Sequence, residues 1–439
     1  MYDQSRDYLK YPTYSLRPKG LPVIGDPEEE YRRAGNLQSQ GAHAEALTVY
    51  SRLARLNHVD SQFQLGWCYT KGLGTEPDYT QAAYWYQKAA EQGHATAQNN
   101  LGWCYEHGSG VEKDLATALF WYRKAAEQGY VLAQRNLGLC YYNSRGIEQD
   151  YTQAVFWYQK AAEQGDATAQ NNLGWCYQNG SGVEKDLAMA VFWYRKAAEQ
   201  GSATAQTNIG WCYYNGQGIE QDYAQAVFWY QKAAEQGDAT AQNNLGVCYA
   251  TGYGIEQDQT KKICWYREAA EQGYVTAQNN LGWCYENGSG VEKDLAMAVF
   301  WYRKAAEQGY APAQRNLGLC YYNGRGIEQD YAQAAFWYQK AAEQGDGTAQ
   351  NNLGVCYANG YGIEQDQTKK IFWYRKAAEH GYVTAQNNLG WCYENGSGVE
   401  KDLALAVYWY YKAADQGHEQ ARNALRNIVD QRFPPEDKA

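Results

Sequence analysis

The chain is short of positive charge and has no long apolar run. Its 439 residues carry a formal net charge of -10, with 39 Lys and Arg against 49 Asp and Glu. Cationic side chains supply most of the affinity of proteins for phosphate backbones, so this balance argues against a nucleic-acid partner. No stretch is long and apolar enough to span a bilayer, and we expect no membrane insertion.

The first 30 residues also lack the apolar segment of a secretion signal. They carry four cationic side chains and no apolar run of roughly 7–15 residues. We therefore expect no signal peptide and a cytoplasmic location. Residues 1–27 contain four prolines and no apolar periodicity, which predicts a disordered or loosely docked tail.

Motifs for metal binding and phosphate binding are missing as well. The sequence has no C-x-x-C pair of the kind that zinc sites use, and its six His lie apart with no matching acid and nucleophile at each. The glycine-rich loop N-G-S-G-V-E-K-D lacks the G-K-[ST] ending of a phosphate-binding loop. We expect neither a cofactor nor a metal ion.

What the chain does contain is one motif in ten copies. A Leu-Gly pair, once Ile-Gly, recurs every 36 residues from Leu65 to Leu389. A fixed period of this length is typical of stacked repeats, each too small to bury a core alone. All 16 Trp lie in the repeated region, so the aromatics belong to the architecture and not to one pocket. Repeats 1 to 10 run from 58–93 through 382–417.

Each repeat predicts a helical hairpin. In repeat 4, helix A is predicted over about 167–178, because the loop at 180–182 supplies glycines that end helices. Asp186 is placed to cap helix B, which Gly201 ends, and an Asp occupies this position in all ten repeats. Apolar residues at helical spacing give each helix one face that meets the other.

The repeat resembles the Sel-1-like repeat family. The shared pattern is A-x-x-x-L-G-x-x-Y-x-x-G-x-G-V/I-x-x-D, followed by A-x-x-W-Y-x-K-A-A-x-x-G, over residues 58–417. The resemblance implies an all-α fold, a right-handed α/α superhelical solenoid of stacked helical hairpins. It also implies a role as adaptor or scaffold without naming a partner.

The two ends of the repeat array differ from its interior. Residues 28–57, with Gly41, Ala46 and Tyr50, resemble one tetratricopeptide hairpin and are predicted to cap the array. Residues 418–439 are predicted to form a closing helix and a short tail.

Some relatives of this family are described as β-lactamase-like, which calls for an S-x-x-K nucleophile. No Ser in this chain has a Lys three residues later. Residues 238–309 and 346–417 are near copies, offset by 108 residues, and a unique active site is hard to reconcile with such interchangeable repeats. We predict no enzymatic activity. A hydrolase and a nucleic-acid-binding array remain as disfavoured alternatives.

Ten of the 11 cysteines follow the helix A glycine by two residues, on the face that meets helix B. Equivalent helices of neighbouring repeats lie roughly 8–10 Å apart, beyond the span of a disulfide. We interpret these cysteines as packing residues. Cys264 instead takes a helix B position that usually holds Phe.

Two rows of helix A residues are not needed for the hairpin core. By analogy with tetratricopeptide arrays, both would line the concave surface and bind a partner protein or extended peptide, with amides for the backbone and aromatics as anchors. The alternative is that each Trp packs against the adjoining repeat. The Asn row, three residues before the glycine, comprises Asn99, Arg135, Asn171, Thr207, Asn243, Asn279, Arg315, Asn351 and Asn387; the Trp row, just after it, comprises Trp103, Trp175, Trp211, Trp283 and Trp391.

Overall fold

The structure, a computed structural model, describes residues 26–432, and the chain divides into two compact units, Met1–Asp186 and Leu187–Ala439. The tail predicted at 1–27 lies outside the described residues except for its last two, and so do 433–439. Among the described helices, none is both long enough and apolar enough to cross a membrane.

The first unit begins with a helical hairpin and continues through the first repeats. Its described residues form α1 (Pro27–Ser39), α2 (His43–Arg55), α3 (Val59–Lys71), α4 (Tyr79–Glu91), α5 (Ala95–His107), α6 (Leu115–Glu127), α7 (Val131–Asn143), α8 (Tyr151–Glu163) and α9 (Ala167–Asn179).

The second unit continues the alternation of helix A and helix B and ends in one further helix. Its helices are α10 (Leu187–Glu199), α11 (Ala203–Asn215), α12 (Tyr223–Glu235), α13 (Ala239–Thr251), α14 (Gln259–Glu271), α15 (Val275–Asn287), α16 (Leu295–Glu307), α17 (Ala311–Asn323), α18 (Tyr331–Glu343), α19 (Gly347–Asn359), α20 (Gln367–Glu379), α21 (Val383–Asn395), α22 (Leu403–Asp415) and α23 (Glu419–Arg432).

These elements confirm the predicted fold class. Within each unit consecutive helices pack as hairpins, and each hairpin packs on the next, as in an all-α solenoid. Helix A of repeat 4 is Ala167–Asn179 and helix B is Leu187–Glu199, within one residue of the predicted bounds. Gly180 ends α9 in the left-handed conformation, at φ 71°.

Capping aspartates start the B helices as predicted. The Asp114 carboxylate accepts hydrogen bonds from the backbone N–H groups of Ala116 and Thr117, at 2.9 and 3.1 Å. These bonds satisfy donors that the first turn would otherwise leave unpaired. Side-chain caps of this kind occur at Asp78, Asp114, Asp150, Asp222, Asp258, Asp294, Asp330, Asp366 and Asp402.

The Leu-Gly and Trp-Tyr motifs meet at the centre of each hairpin. A Cβ added to Gly102 on α5 would lie 2.8 Å from Cδ1 of Tyr122 on α6, closer than carbon atoms pack. The tyrosine ring therefore packs directly against the glycine, where any side chain would clash with it. A Cβ on the second loop glycine, Gly110, would lie 1.9 Å from the Tyr79 carbonyl oxygen of the preceding repeat. The G-x-G loop thus serves the stacking of repeats as well as the turn.

A ladder of buried glutamines, absent from the sequence prediction, joins helices within and between repeats. The Gln98 side chain on α5 donates to the Ala90 carbonyl oxygen of the preceding repeat at 3.0 Å, and it accepts from Gln128 Nε2 at 2.7 Å. Both of its polar atoms are thereby paired in the core, as buried amides require. Glutamine pairs of this kind join Gln92 to Gln62, Gln128 to Gln98, Gln164 to Gln134, Gln236 to Gln206, Gln272 to Gln242, Gln308 to Gln278, Gln344 to Gln314 and Gln416 to Gln386.

Repeat 9 interrupts the ladder. His380 stands where the other repeats have the donating glutamine, and its Nδ1 lies 2.9 Å from the Lys376 carbonyl oxygen. The Oε1 atom of Gln350 is left buried without a hydrogen-bond partner. An unpaired buried acceptor of this kind typically costs about 1–3 kcal/mol.

We expect the His380→Gln variant to be more stable than the natural chain, by about 1 kcal/mol, because it supplies the missing donor to Gln350. Chemical denaturation at neutral pH measures the difference. The matched change Gln344→His in repeat 8 removes an existing bond and should lower the free energy of unfolding. Equal stability of both variants and the natural chain would show that the glutamine pairs contribute nothing.

Candidate functional site

The ten repeat cysteines are core residues, which confirms their interpretation as packing residues. All 11 cysteines of the chain lie within the described residues and are free, ten of them buried and Cys264 exposed. Burial raises the pKa of the Cys176 thiol to about 12, and the same cause raises that of Cys212 to about 12. In the part of the chain that the structure describes, no group of three or more His, Cys, Asp or Glu side chains is placed to hold a metal ion.

Thiol labelling at neutral pH should therefore modify one cysteine per folded chain and 11 per denatured chain. The fast site is Cys264, and Cys264→Ser should abolish it. Because the folded state raises the thiol pKa from 9.0 to about 12 at Cys176, the native state disfavours the thiolate. The free energy of unfolding should therefore fall as the pH rises from 9.0 to about 12. Rapid labelling of several thiols without denaturant would contradict the packing assignment.

The Trp row is exposed. The exposed fraction of its five side chains runs from 39% at Trp211 to 52% at Trp391. At least one member of the row also contacts the adjoining repeat: Trp175 Nε1 donates to the hydroxyl oxygen of Tyr142, in the preceding repeat, at 2.9 Å. The tryptophans are therefore neither fully exposed nor buried between repeats.

The Asn row lies deeper than the sequence predicted. Asn99, Thr207, Asn243 and Asn351 are buried, whereas Asn171, Asn279, Asn387 and both arginines are half-buried. The amides bond from one helix A to the next: Asn136 to Asn99, Asn280 to Asn243, Asn316 to Asn279 and Asn388 to Asn351, all Nδ2 to Oδ1 at 2.9–3.0 Å. Each arginine pairs with an aspartate of the next repeat, Arg135 with Asp166 at 3.1 Å and Arg315 with Asp346 at 3.0 Å.

The four buried members of the Asn row are therefore not open to a partner in the way that the prediction of a binding surface requires. Asn243, only 5% exposed, is a structural amide that joins two repeats. Helical periodicity places this position on the side of helix A opposite the apolar face, and only the adjoining repeat decides that it is covered.

Pockets open between successive A helices, beside the Trp row. One of about 210 Å³ is lined by Trp67, Trp103 and Tyr86 and lies between α3, α4 and α5. In the second unit, others of about 190, 190 and 350 Å³ lie beside Trp211, Trp283 and Trp391. Each is bounded by a helix A, its helix B and the next helix A. The helix A surface is thus a series of small pockets, each bordered by an exposed indole.

A second row of exposed aromatics lies on helix B and was missed in the sequence. In most repeats the aliphatic stem and ammonium of a lysine four residues later cover the ring, as where Lys124 Nζ lies 5.2 Å from the centre of the Phe120 ring. Only repeat 6 changes both partners, to Cys264 and Glu268. The row comprises Tyr84, Phe120, Phe156, Phe192, Phe228, Phe300, Phe336, Phe372 and Tyr408.

A family model described as Sel1 repeat matches ten consecutive segments, 59–94, 95–130, 131–166, 167–202, 203–238, 239–274, 275–310, 311–346, 347–382 and 383–418. No curated protein matches this chain.

Two solved structures resemble the chain over most of its length. One is a protective antigen present in uropathogenic Escherichia coli strains, displaying an SLR fold. It is 36% identical, with a TM-score of 0.74, over 94% of this chain and 92% of the antigen. The other is a Sel1 repeat protein from Oxalobacter formigenes, 32% identical with a TM-score of 0.55, over 71% of this chain and 90% of that protein.

Proposed function

Since this chain belongs to the Sel1 repeat family, we propose that it is a non-enzymatic scaffold that binds a partner protein or extended peptide along its helix A surface. Proteins of this family generally act as protein-interaction scaffolds, and the repeat fold is typically non-catalytic. A cytoplasmic location is part of the proposal, because 11 free thiols suit a reducing compartment.

The observation that carries the proposal is the series of pockets bordered by exposed tryptophans. Interfaces draw most of their affinity from a few aromatic side chains beside well-packed pockets, with Trp the most enriched. Trp175 is already held by its hydrogen bond to Tyr142, so little side-chain entropy is lost when a partner covers it. A series of such pockets suits an extended segment that fills several of them in succession.

The helix B row is the competing surface, and its chemistry makes it the weaker candidate. Its phenylalanines have exposures similar to those of the tryptophans, but lysine side chains lie over most of them. A partner would have to displace these cation–π contacts and their hydration before it reached the rings.

Photo-crosslinking tests which surface is used. A photoreactive amino acid replaces Trp283, 51% exposed on helix A, or Phe300, 46% exposed on helix B of the same repeat. In the cell that naturally produces the chain, we expect one protein to be captured through position 283 and not through position 300. Capture through both positions, or through 300 alone, would contradict the helix A surface.

A further inference from the structure

Two pockets of the second unit contain a buried lysine where the other repeats have alanine. Lys262 on α14 is 2% exposed and Lys370 on α20 is 3% exposed. A lysine is rarely this buried without an ionised partner. The alanines at the equivalent position are Ala82, Ala118, Ala154, Ala190, Ala226, Ala298, Ala334 and Ala406.

Neutral groups surround each ammonium. Lys262 Nζ donates to Gln259 Oε1 and to the backbone and hydroxyl oxygens of Ser289, the latter two at 2.9 Å. The nearby Cys284 does not supply a charge at neutral pH, because burial raises the pKa of its thiol against the lowering effect of Lys262. Lys370 repeats these contacts with Gln367 and Ser397. Over residues 26–432, the ion pairs that the structure shows include neither lysine.

The residue that faces this place from helix A is also exceptional. In repeats 2, 7 and 10 this residue is glutamate. Its carboxylate accepts a hydrogen bond from the hydroxyl of the helix B tyrosine, at 2.7 Å for Glu106 and Tyr122 and at 2.7 Å for Glu286 and Tyr302. In repeats 6 and 9, the two repeats with the buried lysines, it is alanine, Ala250 and Ala358.

Each of the two pockets therefore contains a lysine ammonium and, on helix A, a small alanine in place of a longer side chain. Lys262 and Ala250 line a pocket of about 190 Å³ together with Tyr266 and Trp283. Lys370 and Ala358 line one of about 350 Å³ with Tyr374 and Trp391. Neither tyrosine hydroxyl has a hydrogen-bond partner among the described side chains, in contrast to Tyr122 and Tyr302. Where repeats 2, 7 and 10 place their own carboxylate against the tyrosine, repeats 6 and 9 leave room for a carboxylate from outside.

We propose that each of these pockets binds a carboxylate side chain of the partner polypeptide, with the lysine as counter-ion and the tyrosine hydroxyl as hydrogen-bond donor. This deepens the proposed function and rests on it, since it names the partner as a segment with acidic residues. One ammonium matches the single charge of a carboxylate. A phosphate, which carries nearly two charges, is usually bound by arginine forks or several cations, which these pockets lack.

The test uses a fluorescein-labelled peptide of ten alternating Glu and Gly residues, with its Gln and Gly counterpart as the neutral probe. We expect the Glu peptide to bind the full chain and the Gln peptide to bind more weakly. The double variant Lys262→Ala, Lys370→Ala should weaken binding of the Glu peptide by about tenfold or more, because it removes the buried counter-ion of the carboxylate in each pocket. This variant carries the alanine of the other eight repeats, and its melting curve verifies that it is folded.

The matched control is Lys261→Ala with Lys369→Ala, which removes the same charge from exposed positions on the same helices. Equal loss in control and test variants would indicate diffuse attraction and would overturn the pockets. So would unchanged binding in the test variant, or displacement of the peptide by inorganic phosphate but not by acetate at the same ionic strength. If crosslinking through position 283 succeeds while Lys262→Ala, Lys370→Ala leaves the affinity for the Glu peptide unchanged, the scaffold function is supported and the carboxylate pockets are ruled out.

Discussion

Deletion of residues 310–345 should leave a folded chain that is one repeat shorter. The segment contains α17 and α18, one complete hairpin, and its removal joins Gly309 to Asp346 in the same register. Gln350 and the loop glycine Gly362 of repeat 9 then meet repeat 7 as they now meet repeat 8. Because stability in such arrays is nearly a sum of repeat and neighbour terms, the loss should be gradual.

Deletion of residues 310–327 should instead disrupt the fold. It removes α17 and most of its loop but keeps α18. The ring of Tyr338 then has no Gly318 to pack against, and the two B helices α16 and α18 follow one another in the chain. The lost contacts include the core side chains Leu317 and Cys320, and we expect destabilisation by more than about 4 kcal/mol. Circular dichroism and denaturant titration measure both deletions. Similar melting of the two shortened chains would contradict the hairpin register.

Replacement of Trp283 and Trp391 by alanine should weaken partner binding strongly. Aromatic anchors at interface centres contribute about 2 kcal/mol or more each, so we expect an affinity loss of roughly thirtyfold per residue. Both indoles are about half exposed, and their loss should change the melting temperature less than a core substitution would. Titration of the crosslinked partner, once purified, against each variant gives the affinities.

Phe300→Ala and Phe372→Ala are the matched controls, because these rings are exposed to a similar degree on helix B. We expect the affinity of both control variants for the partner to stay near that of the natural chain. An equal loss in the two sets would mean that the partner does not discriminate between the helix A and helix B surfaces. A large drop in melting temperature with unchanged affinity in the Trp variants would favour the alternative, in which the indoles only join repeats.

The Asn row is not a clean probe of binding. Asn243→Ala removes the acceptor of Asn280 Nδ2 and leaves a half-buried amide without its partner. Its expected cost is about 1–3 kcal/mol of stability, so any loss of binding would be mixed with a structural change. The Trp variants and their helix B controls are therefore the more informative set.

The sequence was sufficient for the parts of the fold that depend on local chemistry. Gly180 marks the end of helix A in repeat 4 and Asp114 the start of helix B in repeat 2, since each acts through the backbone of its own helix. The burial of Cys176 and Leu173 also followed from spacing. Such features need only one repeat.

Features that depend on two or three repeats could not be derived in the same way. Gln98 recurs in every repeat at a core phase, a signal for a buried amide, but its partners lie at positions 90 and 128. The depth of Asn243 depends on the next helix A, and the exposure of Phe300 depends on whether another element covers helix B. The buried Lys262 was visible only as a departure from the repeat pattern, since its environment belongs to the following repeat.

The glutamine ladder also determines how the array should respond to mechanical force. Each buried glutamine of the ladder, here called a rung, joins its helix A to the preceding repeat and to helix B of the same repeat. A load applied along the chain therefore passes through the rungs in series. In repeat 9 the rung at Gln350 keeps its bond to the Ala342 carbonyl oxygen but lacks the second, because His380 replaces the donor. When the second unit is stretched, repeat 9 should therefore be the first to yield.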